Sequence, residues 1–343
     1  MKNSMSASDQ KIAVIGAGSW GTALAMVLAS KGFSVRLWGH SSEHIAKIKA
    51  EGENARYLPG HALALNIMAT DDLMAAVQGC NVVCMVVPSH GFRLVYEQLV
   101  VVLRDGACVV SAVKGIENES LMTMTQVMED VRRTLVPDKS IITAVLSGPS
   151  FAKEVAQNIP TAITIGCVDI GTAKMLQRLF GTDTFRVYAS HDVMGLEISA
   201  SLKNIVAVAA GICDGLGYGL NTRAALITRG LAEITRLGVA LNAEPATFSG
   251  LSGLGDLVLT CTGNLSRNRT VGLKLGQGQK IEDIVSEMNM VAEGVKTTRS
   301  GYELARKMAI EMPILEQVYA IIYKGKNCSD AVRDLLKREL KVE

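Results

Sequence analysis

A chain of 343 residues with 48 % apolar and 20 % charged residues is too long for one ordinary core and too oily for disorder. A formal charge of only +2 excludes the basic field that holds nucleic acid or an anionic membrane surface, while local cations remain able to take a small anion. The seven cysteines are an odd number without metal-type spacing, so they suit a reducing compartment, and the expected location is cytoplasmic. Residues 1–10 form a polar tail without the apolar stretch of a signal peptide. No run of roughly 18 apolar residues occurs. The oiliest helical stretch, Ile198 to Cys213, is interrupted by Lys203 and Asn204, so no membrane span is expected.

From residue 11 onward, short β-rich runs alternate with amphipathic segments. Strands are predicted at Lys11–Ile15, Ser34–Trp38, Asn66–Ala69, Val82–Val87, Ala107–Val113, Ile141–Leu146, Thr161–Cys167 and Phe185–Tyr188. Helices fall between them, at Thr22–Ser30, Asp71–Val77, Phe92–Leu103 and Leu121–Arg132. That alternation implies βαβ units and a mainly parallel sheet, and near-continuous apolar strands imply helices on both of its faces. After about Asp192 the periodicity becomes helical throughout. The expected fold class is therefore α/β: a doubly wound N-terminal domain over residues 11–191, followed by an all-α domain over residues 192–343. The composition also suits a buried subunit contact, and a homodimer is the expected assembly.

Gly16-Ala17-Gly18-Ser19-Trp20-Gly21 follows the first strand and opens the first helix. In that setting the pattern is the fingerprint of a Rossmann-like dinucleotide site. Gly16 permits the tight turn, Gly18 lets the backbone approach a pyrophosphate, and Gly21 lets helix and strand pack closely. The free N–H groups of the helix start hold the diphosphate. The second strand ends in Gly39-His40-Ser41-Ser42, with no carboxylate to bind a ribose 2′-OH; Glu43 falls in the next helix. The cofactor is NADP or NAD, and the absent acid together with His40 favours NADP.

Two further patterns carry chemistry. Leu202-Lys203-Asn204 puts a lysine inside a small, apolar helical segment, where it must snorkel to water or work in a polar cleft. Gly253-Leu254-Gly255-Asp256 leads into Thr260 and then Ser266-Arg267-Asn268-Arg269. The last four offer guanidinium forks, an amide and a hydroxyl, which suit a phosphate dianion. Taken alone, Ser266 equally suits a helix N-cap and Asp256 a turn. No His, Cys or carboxylate cluster has ligand spacing, so no metal is expected.

These motifs occur in one order with Lys114-Gly115 and Ser147-Gly148-Pro149-Ser150-Phe151-Ala152-Lys153-Glu154. Over essentially its whole length the chain resembles the bacterial type of NAD(P)-dependent sn-glycerol-3-phosphate dehydrogenase. The resemblance implies reduction of dihydroxyacetone phosphate to glycerol 3-phosphate, the backbone precursor of phospholipids. It makes Lys203 the proton donor and acceptor, sets Lys114 between cofactor and substrate, and places Gly148 and Ser150 beside the substrate. Asp256, Thr260, Ser266, Arg267 and Asn268 become substrate contacts. Ser19, Trp20, His40, Ala152, Arg267, Val291 and Glu293 become cofactor contacts. One departure is Ala200-Ser201 before the Leu-Lys pair, where family members have Gly followed by Ala or Thr; both residues remain small. A β-hydroxyacid dehydrogenase also pairs a Rossmann domain with a catalytic lysine, but needs a carboxylate clamp in place of Ser266–Arg269.

Overall fold

The computed structural model describes residues 11–288 and 292–339. The polar tail and Val291 lie outside the described residues. By internal contacts the chain forms two units: the stretch up to Val113 with Met124–Val193, and Lys114–Thr123 with the chain from Met194 onward.

The first unit is an eight-stranded sheet. Its strands are β1 (Lys11–Ile15), β2 (Ser34–Trp38), β3 (Ile67–Thr70), β4 (Val82–Met85), β5 (Ala107–Ser111), β6 (Ile141–Ser147), β7 (Thr161–Gly166) and β8 (Phe185–Ser190). Between them run α1 (Ser19–Ser30), α2 (Ser42–Glu51), α3 (Leu73–Val77), α4 (Ser89–Val100), α5 (Met124–Leu135), α6 (Ala152–Ala156) and α7 (Ile170–Phe180). The strand order is β3-β2-β1-β4-β5-β6-β7-β8, parallel except where β7 pairs antiparallel with β6. Every residue of β4 and β5 is buried, as the unbroken apolar runs required. Strand order reverses between β1 and β4, which puts the glycine turn after β1 at the switch point of a doubly wound sheet.

Local boundaries differ from the sequence pattern for identifiable reasons. The apolar run from Val82 leaves the strand after Met85, and Pro88, which has no N–H for a ladder, starts α4. Leu121 adopts φ 61°, a left-handed conformation that a helix interior does not admit, so α5 starts at Met124. The loop Lys114–Thr123 joins the second unit because Ile116 is buried in that unit's core and its carbonyl accepts from Ser300 Oγ at 3.1 Å.

The second unit is helical: α8 (Val193–Gly215), α9 (Leu220–Ala240), α10 (Pro245–Phe248), α11 (Asp256–Thr262), α12 (Arg267–Gly276), α13 (Ile281–Glu287), α14 (Glu293–Lys307), α15 (Pro313–Lys324) and α16 (Cys328–Leu336). By length and composition alone α8 is apolar enough to cross a bilayer, contrary to the expectation from its interrupting Lys203 and Asn204. Its apolar stretch is wholly buried in protein. It is the central helix of this core, buried on every face from Gly195 to Cys213.

Glu233 of α9 shows how this core handles an acid. Pro313 opens α15 with no N–H to offer, and the Glu233 carboxylate accepts from the next two amides, Ile314 at 2.8 Å and Leu315 at 3.3 Å. Burial pushes its pKa up to about 7, against the pull of those two hydrogen bonds. A carboxyl whose folded pKa is raised stabilises the fold at low pH, and that contribution is lost as pH rises through about 7. In thermal or urea unfolding from pH 4.5 to 8, the wild type should lose up to about 3 kcal/mol relative to Glu233→Gln. Parallel pH profiles for the two proteins would contradict this assignment.

Candidate active site

In the first unit the glycine fingerprint makes the predicted turn. Gly16 adopts φ +129°, and a Cβ there would stand 2.7 Å from the carbonyl oxygen of Val86 on the neighbouring chain segment. A Cβ on Gly21 would overlap the Gly16 carbonyl oxygen at 1.9 Å, so this helix can sit against its strand only through glycine. Gly18 precedes the helix in extended conformation, and the space where its side chain would project is open. No side chain caps α1. The first-turn amides, beginning with Ser19 and Trp20, lack intrahelical acceptors by construction and suit a diphosphate. The side chain of Trp20 turns to the core, its ring 6.5 Å from that of Phe185. These features fit a dinucleotide.

At the end of β2, His40 is exposed, while both serines are engaged locally. Ser41 Oγ accepts from the His44 amide at 3.3 Å as the N-cap of α2, and Ser42 bonds to the Asp71 carboxylate. Asp71 was not visible as part of this corner in the sequence; it arrives after β3, where its carbonyl accepts from Trp38 Nε1 at 3.0 Å. Glu43 lies in the first turn of α2 and pairs with Lys47 at 2.8 Å. Elsewhere in this unit, Gly148 adopts φ +137° against Ile163, and Ser150 Oγ donates to the Gly148 carbonyl at 3.0 Å. Ala152 opens α6.

In the second unit the structure gathers residues far apart in sequence. Lys203 projects from mid-α8 and is 4 % exposed. Its Nζ donates to Asp256 Oδ1 and to Thr260 Oγ1, both at 2.6 Å, and Lys114 Nζ lies 2.8 Å from Asp256 Oδ2. Thr260 stands one turn after Asp256 on α11, and its hydroxyl donates back to the Asp256 carbonyl at 2.6 Å. A π-helical turn, Leu251–Gly255, feeds directly into α11. A Cβ on Gly253 would stand 2.0 Å from the Phe248 carbonyl oxygen, so the glycine frame of the motif serves to bring Asp256 in close. Burial pulls the Lys203 ammonium down to about 8; Asp256 opposes that pull and the Lys114 charge adds to it. Burial pushes Asp256 up, and the two lysines outweigh it, holding the carboxyl below its usual range.

Asn204, singled out only as the neighbour of Lys203, proves central. Its Nδ2 donates to the Lys114 carbonyl at 3.3 Å, and its Oδ1 accepts from Asn268 Nδ2 at 2.9 Å. Asn268 Oδ1 in turn accepts from the Gly294 amide at 2.9 Å. Ser266 caps α12, accepting from the Arg269 amide at 3.2 Å. Arg267 begins that helix facing solvent; desolvation lowers its pKa and the Glu293 charge opposes this. A guanidinium stays charged regardless. Arg269, the second arginine of the motif, is committed elsewhere: its Nε is paired with Asp214 Oδ2 at 2.7 Å. Among the described residues no group of three His, Cys, Asp or Glu is arranged to hold a metal ion.

Asp256 is thus the counter-charge to two ammonium groups in a buried place. Removing one partner of a buried pair typically costs about 3–5 kcal/mol. Asp256→Asn should show that loss in denaturant unfolding near neutral pH. The loss should shrink toward pH 8, because the mutant's Lys203 sheds its proton at lower pH than the wild type's. A penalty independent of pH would mean that the three groups are not coupled.

Comparison with known proteins agrees over the whole chain. Residues 11–173 match the sequence family described as NAD-dependent glycerol-3-phosphate dehydrogenase N-terminus, and residues 192–333 match its C-terminus. The chain is 60 % identical over 339 residues to glycerol-3-phosphate dehydrogenase (NAD(P)+) of Desulfotalea psychrophila, covering 99 % of this chain and 100 % of that one. It is 53 % identical over 335 residues to the protein of that name from Geobacter sulfurreducens, covering 98 % and 99 %. The crystal structure of glycerol-3-phosphate dehydrogenase from Coxiella burnetii superposes with a TM-score of 0.92 at 41 % identity, covering 96 % of this chain and 100 % of that one. By both domains, and by relatives matched end to end, this chain belongs to the NAD-dependent glycerol-3-phosphate dehydrogenase family.

Proposed function

We propose that Lys203 exchanges the proton in the reaction this family catalyses, the interconversion of dihydroxyacetone phosphate and glycerol 3-phosphate with NAD(P)H. The observation that carries this reading is a buried ammonium held at 2.6 Å by Asp256 and by Thr260, with its proton affinity brought down to about 8. When bound, the nicotinamide supplies or accepts the hydride at the carbonyl carbon. The amides opening α1 hold its diphosphate, with Gly16, Gly18 and Gly21 shaping the turn, and the family resemblance adds Ala152 and Glu293 as cofactor contacts.

Reduction leaves negative charge on the carbonyl oxygen, and protonated Lys203 supplies the proton there. Oxidation needs the neutral amine to remove that proton from the hydroxyl. A group titrating near 8 serves both directions at ordinary pH, where a free lysine near roughly 10.4 serves only the first. Asp256 keeps the ammonium aimed and Lys114 tempers its basicity. Arg267 holds the phosphate, joined by Ser266 and Asn268, and the family resemblance adds Gly148 and Ser150 as substrate contacts. Fixing the phosphate fixes the reacting carbon.

Both nicotinamides are accepted, with NADPH served at least as well as NADH. Supporting this, the two carboxylates at this corner are already engaged, Glu43 with Lys47 and Asp71 with Ser42. We assign the protein to the cytoplasm as a homodimer that supplies glycerol 3-phosphate for phospholipid synthesis; seven free cysteines support the reducing location.

Lys203→Met keeps the stem and deletes the acid. Its turnover should fall about a hundred- to ten-thousand-fold, while NAD(P)H titration stays normal and the protein still folds, with a melting temperature lowered by loss of the ion pair to Asp256. In the wild type, ketone reduction should decline and alcohol oxidation rise as pH passes through about 8. Normal hydride transfer in a folded Lys203→Met protein would remove the assignment. His40→Asp should move the kcat/KM ratio toward NADH by excluding a 2′-phosphate; an unchanged ratio would place the discrimination elsewhere.

A further inference from the structure

α8 and α12 touch backbone to backbone. A Cβ on Gly211 would stand 2.0 Å from the Arg269 carbonyl oxygen, and one on Gly272 would stand 1.9 Å from that of Val208. One turn further along, Gly215 and Gly276 meet the facing helix in the same way, at 2.3 Å from Leu273 O and 2.4 Å from Ile212 O. Glycines four apart share a helix face, and any side chain here would force the axes apart. The crossing is closed by an ion pair. Asp214, nearly buried on α8, holds Arg269 Nε at 2.7 Å and also pairs with Arg223 of α9.

This contact lies within the helices that carry the two ends of the chemistry. Lys203 sits two turns before Gly211 on α8, and Arg267 sits less than two turns before Gly272 on α12. The Asn268–Asn204 hydrogen bond, at 2.9 Å, joins the same two helices next to both residues.

We infer that Gly272, Gly211 and the Asp214–Arg269 pair are positioning residues that set the distance between the phosphate-holding Arg267 and the proton-exchanging Lys203. This rests on the assignment of Arg267 to the phosphate. Neither Gly272 nor Asp214 touches the reacting atoms, so their effect falls on the substrate that uses both ends at once. A ketone without phosphate does not feel the gauge.

The experiment measures kcat and KM for dihydroxyacetone phosphate and for dihydroxyacetone in wild type, Gly272→Ala, Asp214→Asn and Arg267→Lys, with melting and NAD(P)H titration alongside. Misplacement by about 1 Å costs up to about a hundredfold, so Gly272→Ala and Asp214→Asn should lower kcat/KM for the phosphorylated ketone by about 10- to 100-fold. The value for dihydroxyacetone should stay at that of the wild type. A parallel fall for both ketones, or no change for either, overturns the inference. If Gly272→Ala does not fold, Asp214→Asn alone decides it. If Arg267→Lys spares the phosphorylated ketone, the phosphate assignment itself fails. If Arg267→Lys is damaging while the other two variants behave as wild type, the grip stands and the gauge does not.

Discussion

A buried ammonium group costs several kcal/mol unless a counter-charge is buried with it. The second unit accepts that cost on α8, the helix most enclosed by its own core. Much of the local architecture follows from answering Lys203. The glycine frame before Asp256 lets a π-helical turn press against Phe248, which brings the carboxylate in to 2.6 Å. Thr260 adds a neutral acceptor one turn on. Lys114 then makes the cluster two cations around one anion, so burial, aided by the Lys114 charge, outweighs the pull of Asp256 and brings Lys203 down to about 8.

A chain of side-chain amides works beside this charged group without titrating. From the Gly294 amide through Asn268 and Asn204 to the Lys114 carbonyl, each link uses a donor and an acceptor of fixed geometry. It ties α14, α12, α8 and the loop bearing Lys114 into one arrangement. Such support is what holds a reacting constellation within the tolerance that catalysis requires. Gly294 belongs to it as backbone alone: a Cβ there would crowd both Asn204 O and Asn268 Oδ1 at 2.8 Å.

The first unit shows the complementary economy. Ser41 and Asp72 cap the second and third helices with their own side chains, whereas α1 begins on Gly18 with no such cap. Capping is worth about 1 kcal/mol, and leaving it out keeps the first-turn amides for an anionic ligand. Helices α4 and α6 also start without a side-chain cap, but at α1 the uncapped start coincides with the glycine turn at the switch point of the sheet.

Much of this was legible in the residues themselves. The alternation of apolar runs with amphipathic segments specifies the parallel sheet because side-chain period and burial are local properties. The glycine spacing specifies the turn after β1, and the grouping of Ser266 to Asn268 specifies a helix start rich in donors. The partners of Lys203 were not legible as contacts. Asp256 lies 53 positions away and Lys114 lies 89 positions before it, and no periodicity relates them. Nor did the sequence separate the two arginines of the motif: only the packing of α12 on α8 pairs Arg269 with Asp214. The paired four-residue glycine spacings, Gly211 to Gly215 and Gly272 to Gly276, were the available signal for that packing. A spacing becomes a contact only when two helices far apart in the chain cross, and tertiary structure alone decides where they do.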